Sequence, residues 1–260
     1  PPAGPARGED LRTLVQGLGF VQVDSIATVA RAHDMIVFAR RPAYRPGGLE
    51  VPVARHRTMF EHWTHDASIL PIEAYPYWRL RFERNREKLA AKWNSWQRHG
   101  FEEKFDEVLN RIARNGPVCS ADVGDDEQRS NGGWWDWHPS KTALEYLWRT
   151  GSLMVCHRKG FRKYYDLAER VAPQAVAAPR PDDPEIIDWA CRQALDRLGF
   201  ATSGELAAFY DLVSPADAKV WAANALERGE VIEIEVEQAD GRWRKVMCWP
   251  DLPDRAVPRP

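Results

Sequence analysis

The sequence predicts a mainly α-helical protein with small β-hairpin wings, an α+β fold of tandem winged-helix (helix-turn-helix) units, three in number. The order helix, helix, helix, hairpin occurs twice, in residues 101–172 and 182–250. A proline-rich segment, residues 173–181, separates the two copies, and its proline density predicts no helix there. Near the start of the chain a helix passes into a strand, so residues 1–100 are expected to form a third, truncated unit.

The middle unit begins with an amphipathic helix over Phe101–Asn115, which Gly116-Pro117 ends. Ser120–Asp122 then starts a short second helix or a turn. A third helix is predicted over Pro139–Trp148 and is stopped by Gly151. The apolar face of the first helix is formed by four residues at helical spacing: Phe105, Val108, Leu109 and Ile112.

A β-hairpin completes the middle unit. Its strands are predicted over Leu153–Cys156 and Lys163–Leu167, on either side of a tip at His157–Arg162. The tip and the residue after it carry four cations: Arg158, Lys159, Arg162 and Lys163. Winged helices often bind DNA, and these cations are candidates for contact with a phosphate backbone. A solvated hairpin tip accounts for them equally well.

The third unit repeats the order with three helices and a hairpin turned by Asp240-Gly241. Ser203 is the predicted cap of the second helix. The five elements are expected over Pro184–Leu198, Ser203–Tyr210, Ser214–Leu226, Val231–Val236 and Arg242–Trp249. Because Glu233, Glu235 and Glu237 on the hairpin would repel phosphate, this unit is interpreted as a scaffold or a protein contact.

In the first unit, Leu11–Val21 is similar to the segments where the third helices of the other units pass into a wing strand, residues 144–154 and 223–232. On this register the first unit lacks its first helices. Gln22 and Asp24 then lie on its first wing strand.

Gln22 and Asp24 stand two residues apart in a stretch of aromatic and β-branched residues, Gly19–Ile26, that is typical of a short strand. Because side chains alternate along a strand, both point to the same face. A carboxylate beside an amide can hold and deprotonate a water molecule, the task of a general base in a hydrolase. From spacing alone, two polar residues on the solvated face of a strand are the commoner explanation.

Three separate blocks in the same order carry a family resemblance: residues 19–40, 60–70 and 161–171. They resemble the bacterial crosslink-repair DNA glycosylases of the YcaQ/AlkX and AlkZ type, and the resemblance extends over most of residues 8–250. The YcaQ/AlkX branch has a Gln-apolar-Asp motif where its AlkZ relatives have Gln-apolar-Gln. Gln22-Val23-Asp24 therefore resembles the first branch. Relative to the family, the chain is expected to lack segments at both ends.

The resemblance implies a monofunctional DNA glycosylase that hydrolyses the N-glycosidic bond of N7-alkylated purines and unhooks DNA interstrand crosslinks. Asp24 would activate water and stabilise the sugar cation, while Gln22 would position the water. The expected partner is damaged double-stranded DNA. A tandem winged-helix DNA-binding regulator without enzymatic activity is the rival hypothesis, and a protein-interaction scaffold is a third.

Other candidates for contact with DNA or the lesion lie between residues 31 and 65. Six arginines there indicate a basic face: Arg31, Arg40, Arg41, Arg45, Arg55 and Arg57. Of these, Arg31, Arg55 and Arg57 are the candidate contacts. His33 and His65 join them because the resemblance places the Trp63-Thr64-His65 block near the lesion. A hydrogen-bonded packing histidine is an equally good explanation for each.

Composition restricts the remaining possibilities. The formal net charge is −2, so the chain as a whole gives no sign of nucleic-acid binding. The four isolated cysteines predict neither a disulfide framework nor a zinc site, and His62 and His65 lack further ligands for a metal. No cofactor is expected. The absence of a long apolar run and of a signal peptide predicts a cytoplasmic protein. The resemblance implies a bacterial, nucleoid-associated protein, and a monomer is expected.

Tryptophan is abundant, with 12 residues in the chain, and three of them stand close together at Trp134, Trp135 and Trp137. Aromatic rings can stack on bases. Most of these rings are expected to pack in the core or between units.

Overall fold

The computed structural model describes residues 4–95, 100–124 and 138–254. The tryptophan-rich segment at residues 134–137 lies outside the described residues. The chain divides into two compact units, residues 1–180 and 181–260. Helices combine with three small antiparallel sheets, each of three strands, which confirms the predicted α+β class. The number of winged-helix units stays a prediction.

The first sheet is built from residues near the start of the chain. Its outer strand β1 follows α1, and its two longer strands, β2 and β3, form a hairpin, giving the order β1-β3-β2. A π-helical turn at Pro52–His56 precedes the hairpin. The elements are α1 Glu9–Leu18, β1 Val21–Gln22, α2 Ala32–Phe38, β2 Met59–Trp63 and β3 Ala67–Pro71.

The second sheet follows a 21-residue helix, α3, at Tyr75–Ser95, which the sequence analysis did not predict. The sheet has the order β4-β6-β5, again with a two-residue outer strand. Two short helices then end the first compact unit. The elements are α4 Phe105–Asn115, β4 Val118–Cys119, α5 Pro139–Arg149, β5 Leu153–Lys159, β6 Arg162–Leu167, α6 Ala168–Val171 and α7 Pro173–Ala177.

The second compact unit has the order helix, strand, helix, helix and hairpin, with the sheet β7-β9-β8. All three of its long helices begin with a capping box, at Asp182, Thr202 and Ser214. The elements are α8 Asp183–Leu198, β7 Phe200–Ala201, α9 Ser203–Tyr210, α10 Pro215–Glu227, β8 Ile232–Glu237 and β9 Trp243–Cys248.

The predicted register of the first sheet is wrong. Strand β1 pairs with β3, at Val21 with Ile69 and Gln22 with Ser68, in the outer position that β4 and β7 occupy in the other sheets. Helix α1 therefore corresponds to α4 and α8, the helices that precede an outer strand, and not to a third helix. The hairpin of this sheet is formed by β2 and β3, so Gln22 lies on the outer strand and not on the predicted wing. The expectation that the first unit lacks its first helices loses its basis.

Three smaller predictions are also corrected. The tip of the second hairpin is Gly160-Phe161, because His157–Lys159 still belongs to β5. The segment after residue 172 begins with a helix, α7, since a proline at the first helical position lacks only an N–H that would have no partner there. The cap of α9 is Thr202, whose hydroxyl accepts the Glu205 N–H at 3.3 Å, and not Ser203.

A buried histidine on β2 connects the first sheet to the helices beside it. The Trp78 indole N–H of α3 donates to Nδ1 of His62 at 2.9 Å. Nε2 of His62 lies 3.2 Å from the carbonyl oxygen of Trp148 in α5. One neutral tautomer, with its proton on Nε2, satisfies both contacts. In turn, the Trp148 indole donates to the Glu61 carbonyl at 3.1 Å.

The burial of His62 predicts a pH-dependent stability. Complete burial, followed by the charges of Arg81 and Arg149, holds the pKa of His62 well below its ordinary value. Below about pH 6.5 the unfolded chain binds a proton that folded His62 does not, so the free energy of unfolding falls by up to about 1.4 kcal/mol per pH unit. The pKa of His33 is lowered as well, chiefly by burial, and acts in the same direction.

Urea denaturation at pH 7.5 and pH 5.5 measures this effect. We expect a lower free energy of unfolding at pH 5.5, and a smaller difference between the two values in His62→Gln. Equal free energies of unfolding at the two pH values would contradict the prediction.

Candidate active site

The Gln22-Val23-Asp24 segment has the alternation that the sequence predicts. Val21 and Val23 are buried, whereas Gln22 and Asp24 are partly exposed. Strand β1 itself covers only Val21–Gln22, but the Val23 N–H still donates to the Ala67 carbonyl at 2.7 Å. Pairing to β3 therefore continues to the residue before Asp24, and the two polar side chains stand side by side on a hydrogen-bonded backbone.

The amide of Gln22 is oriented by a carboxylate on the neighbouring hairpin. Its Nε2 donates to Oδ2 of Asp66 at 3.3 Å. Among the described residues this is the only hydrogen bond of the Gln22 side chain, so its Oε1 remains available as an acceptor. Asp66 thus determines which end of the amide faces an incoming molecule.

Asp24 is held at its backbone and at one carboxylate oxygen. Its Oδ1 accepts the Ile26 N–H at 2.8 Å, the local turn that aspartate side chains commonly form. Its own N–H lies 3.4 Å from Nδ1 of His33. Within the described part of the chain Oδ2 has no hydrogen-bond or ion-pair partner. One carboxylate oxygen beside the Gln22 amide is therefore free to accept a proton.

His33 lies under the site and not on its surface. The side chain is buried, its ring stacks on Phe161 at 6.1 Å with an interplanar angle of 19°, and Nε2 is 4.0 Å from Oδ2 of Asp34. Burial lowers the pKa of His33 and so favours the neutral ring, whose unprotonated Nδ1 can accept the Asp24 N–H. Its position indicates a packing and positioning role.

Asp66 and His65 belong to the tight turn between β2 and β3. The turn closes through the Thr64 N–H, which donates to the Asp66 carbonyl at 2.9 Å, and through a 2.9 Å contact between the hydroxyls of Thr64 and Ser68. Arg81 of α3, itself buried, donates to the Thr64 carbonyl. His65 is exposed and meets Phe20 edge-on at 5.9 Å. A buried cation thus fixes the turn that carries His65 and Asp66.

Two of the four cations of the predicted basic wing make contacts within the protein. Arg158 forms a two-point ion pair with Glu61, with Nη2–Oε1 at 2.6 Å and Nε–Oε2 at 2.8 Å. Lys163 lies over the Trp148 ring at 3.6 Å and 4.0 Å from Glu61. Arg57, in the left-handed conformation at φ 56°, donates to the carbonyls of Val53 and Cys156. These contacts disfavour Arg57, Arg158 and Lys163 as phosphate ligands.

The tip of the wing contacts the α2 region. Phe161, at φ 65°, lies between the guanidinium groups of Arg31 and Arg158, 4.5 Å and 4.4 Å from its ring centre. Nε of Arg31 is buried without a hydrogen-bond partner among the described residues. Arg31 is therefore also occupied largely by packing.

The remaining cations of the predicted set have exposed side chains: Arg55, Lys159 and Arg162. Lys159 and Arg162 face each other across the outer end of the second hairpin. Arg55 belongs to the π-helical turn before the first hairpin. These three are the DNA-contact candidates whose charge reaches solvent, and their contact with DNA stays a prediction.

The described part of the first compact unit includes a small cavity and a larger cleft, and neither is lined by Gln22 or Asp24. A cavity of about 50 Å³ beside Val23, His33 and Phe161 is too small for a purine base. A cleft of about 440 Å³ is lined by residues on the far end of the hairpin and on α7, among them His56, Arg57 and Glu73. Gln22 and Asp24 lie outside both and are partly exposed to solvent.

The chemistry available at this surface is that of two carboxylates, an amide and an imidazole. Among the described residues there is no cluster of three or more His, Cys, Asp or Glu side chains able to hold a metal ion. All four cysteines are buried and free. No helix in the described part of the chain is long and apolar enough to cross a membrane. A carboxylate oxygen and an amide oxygen that point to solvent are suited to holding and deprotonating water.

Sequence reasoning missed Asp66 and Glu61, although both belong to a block it had singled out, residues 60–70. Asp66 directly follows His65, and an acidic residue in a hairpin turn looks like an ordinary turn residue. The signal for Glu61 was its position, as the one carboxylate in a short strand whose other residues are apolar or aromatic: Met59, Phe60, His62 and Trp63.

Comparison with known proteins confirms the family resemblance. A family model described as "DNA glycosylase AlkZ-like" matches residues 15–260. Among solved structures, the Streptomyces sahachiroi DNA glycosylase AlkZ superimposes with a TM-score of 0.60 over 93% of this chain, at 18% sequence identity. This chain spans 64% of the length of that protein.

The ion pair between Glu61 and Arg158 predicts a large loss of stability on removing one charge. Both side chains are nearly buried, at 2% and 13% exposure. In Glu61→Gln the guanidinium keeps its burial but loses its counter-charge, so we expect the free energy of unfolding to fall by about 3 kcal/mol.

Urea denaturation of both this variant and Glu107→Gln tests the expectation. Glu107 pairs with Lys104 on the surface, at 65% exposure, so its replacement should leave stability nearly unchanged. If the two variants lost stability equally, the buried pair would not hold the wing as described.

Proposed function

Because the chain belongs to the AlkZ-like DNA glycosylase family, we propose that it is a monofunctional DNA glycosylase. Its proposed reaction is hydrolysis of the N-glycosidic bond of N7-alkylated purines, including the unhooking of interstrand crosslinks. The observation that carries the proposal is the pair of solvent-facing acceptor oxygens, Oε1 of Gln22 and Oδ2 of Asp24, on one face of a hydrogen-bonded backbone.

The proposed chemistry needs few groups. An N7-alkylated purine already carries a positive charge, so it leaves as a neutral base without a proton from an acid. The sugar then develops cationic character, which the Asp24 carboxylate stabilises. Water held by Gln22 and Asp24 adds its oxygen to C1′ of the sugar, and Asp24 accepts the proton. The product is an abasic site.

The open position of the motif supports a crosslinked substrate. A base that is tied to both strands cannot be extruded into a deep pocket in the usual way. Gln22 and Asp24 lie outside the two cavities described above, on a surface that a bulky, tethered base can approach. DNA binding is proposed to use the exposed cations Arg55, Lys159 and Arg162, with His65 near the lesion.

The architecture proposed for DNA binding is three tandem winged helices. Three features support it: each sheet has the same strand order, each has a two-residue outer strand, and each outer strand follows a helix. The partner is proposed to be damaged double-stranded DNA, bound by a monomer associated with the bacterial nucleoid.

The first test is a gel assay with duplex DNA that carries an N7-guanine nitrogen-mustard crosslink. Wild-type protein should unhook the crosslink and leave an alkali-cleavable abasic site. Asp24→Asn should lower the single-turnover rate at least about 100-fold, because the base is lost while the shape is kept. Asp106→Asn, an exposed change on α4, serves as the matched control and should retain full activity.

Two results would decide against this assignment. Equal activity of Asp24→Asn and wild type would remove Asp24 from the mechanism. An intact crosslink with wild type, together with tight and sequence-specific binding of undamaged DNA, would favour the winged-helix regulator.

A second experiment separates positioning from catalysis at Asp66. If Asp66 only orients the Gln22 amide, Asp66→Ala should lower the excision rate about tenfold, the worth of one hydrogen bond. Asp66→Asn keeps an acceptor oxygen and should stay within about threefold of wild type. The pH–rate profile should keep its shape in both variants.

A different result would give Asp66 the role proposed for Asp24. Loss of activity in both Asp66 variants to the level of Asp24→Asn would identify Asp66 as a second essential carboxylate.

A further inference from the structure

The exposed apolar side chains of the first compact unit gather in one region. Among its described residues, every large hydrophobic side chain that is exposed lies between residues 26 and 51. The two most exposed stand on the loop between β1 and α2, with Val29 at 91% and Ile26 at 69%. Two more, Met35 and Phe38, lie one turn apart on α2. In the free protein these side chains are exposed to water, and they can be buried only against a partner. Their clustering therefore indicates a binding surface.

The loop is fixed to the candidate active site at both ends. At its start, Oδ1 of Asp24 accepts the Ile26 N–H at 2.8 Å. At its end, Nδ1 of His33 lies 3.4 Å from the Asp24 N–H. One aspartate thus serves as the proposed base and as the anchor of the loop. The apolar side chains consequently have a defined position close to the carboxylate.

The charges of the residues around the loop indicate which kind of partner it binds. Residues 25–30 are uncharged, and of the six arginines between residues 31 and 57 three have exposed side chains, Arg40, Arg45 and Arg55, against one exposed acid, Glu50. Asp34 is buried and accepts the Tyr44 hydroxyl at 2.8 Å, so its charge is withdrawn from the surface. An apolar projection in cationic surroundings is complementary to duplex DNA, which has anionic phosphates outside and apolar stacked bases within. A second copy of this chain joined through the same face would bring the same cations and be repelled.

We propose that the loop at residues 25–31 is an apolar wedge, in which Ile26 and Val29 insert between the base pairs beside the damaged nucleotide. This inference rests on the proposed function. Parting one base step opens the sugar face of the glycosidic bond to Asp24 without extrusion of the base. A crosslinked base allows such a local opening, and contacts along the bent duplex offset the cost of unstacking.

The first measurement follows unstacking directly. The probe is a duplex with 2-aminopurine, whose fluorescence rises when it is unstacked, next to a tetrahydrofuran abasic-site analogue. Wild-type protein should raise the fluorescence, and the double variant Ile26→Ser/Val29→Ser should not. Leu198→Ser, a matched change at a side chain with 39% exposure that lies outside this region, should behave as wild type. All three side chains are exposed, so folding should be retained in each variant.

The second measurement is excision of N7-methylguanine under single-turnover conditions. The double serine variant should be at least about tenfold slower than wild type on a fully paired duplex, since it lacks the side chains that hold the unstacked step open. On a duplex in which the lesion lies in a one-nucleotide bulge, the step is already open. There the variant should recover to within about threefold of wild type.

The outcomes separate this inference from the function on which it rests. Wild-type excision without a fluorescence rise, or equal rates for wild type and the double variant, overturns the wedge and leaves the glycosylase. If neither wild type nor any variant excises the base, the proposed function is wrong. The fluorescence result alone then shows whether the loop acts as a wedge. Wild-type dimers in sedimentation that the serine changes dissociate would identify a second copy as the occupant and overturn the wedge.

Discussion

Strand β2 fixes the geometry on which the candidate site depends. Because side chains alternate along a strand, its neighbours Glu61 and His62 point to opposite faces. Glu61 holds Arg158 of the second hairpin, while His62 bonds to Trp78 and to the backbone of Trp148. Buried polar groups require directed partners, so these contacts specify one arrangement of the surrounding elements where apolar packing alone would admit several. Strand β3 pairs with β2 and so has a fixed position, and it begins directly after the turn whose Asp66 orients the amide of the motif.

The same constraint reduces the positive surface of the protein. Arg158 and Lys163 lie against Glu61 and Trp148, so their charges contribute to folding. Of the wing, only the outer pair Lys159 and Arg162 extends into solvent. With a formal net charge of −2, the association with DNA that the proposed function requires has to depend on a few local cations. Each phosphate contact releases a counterion, so few contacts mean a shallow dependence of binding on salt. Apolar contact with the bases then contributes a larger share of the affinity than it would in a strongly basic protein.

Local signals in the sequence were sufficient for helices with strong periodicity and clear ends, such as α4, α8 and α10. They failed wherever the answer depended on distant pairing. A two-residue outer strand and a wing strand look alike locally, and only the pairing of Val21 with Ile69 distinguishes them. The partner of Gln22 lies 44 residues away, and that of Glu61 lies 97 residues away. The side-by-side placement of the motif was predictable because strand alternation is local. The carboxylate that orients Gln22, that of Asp66, was not predictable, because only tertiary structure brings it close to the motif.

An open site has consequences for selectivity under the proposed reaction. Enzymes that remove neutral bases need an acid to protonate the leaving group, and a closed, water-poor pocket to strengthen that contact. A cationic N7-alkylpurine needs neither, since its leaving group is activated by the damage itself. Two acceptor oxygens, on Gln22 and Asp24, are then enough, and exposure to solvent is no handicap because water is the nucleophile. Undamaged purines meet the same carboxylate and leave too slowly to matter. Discrimination therefore comes from the chemistry of the lesion, and a site of this kind can accept adducts of very different size.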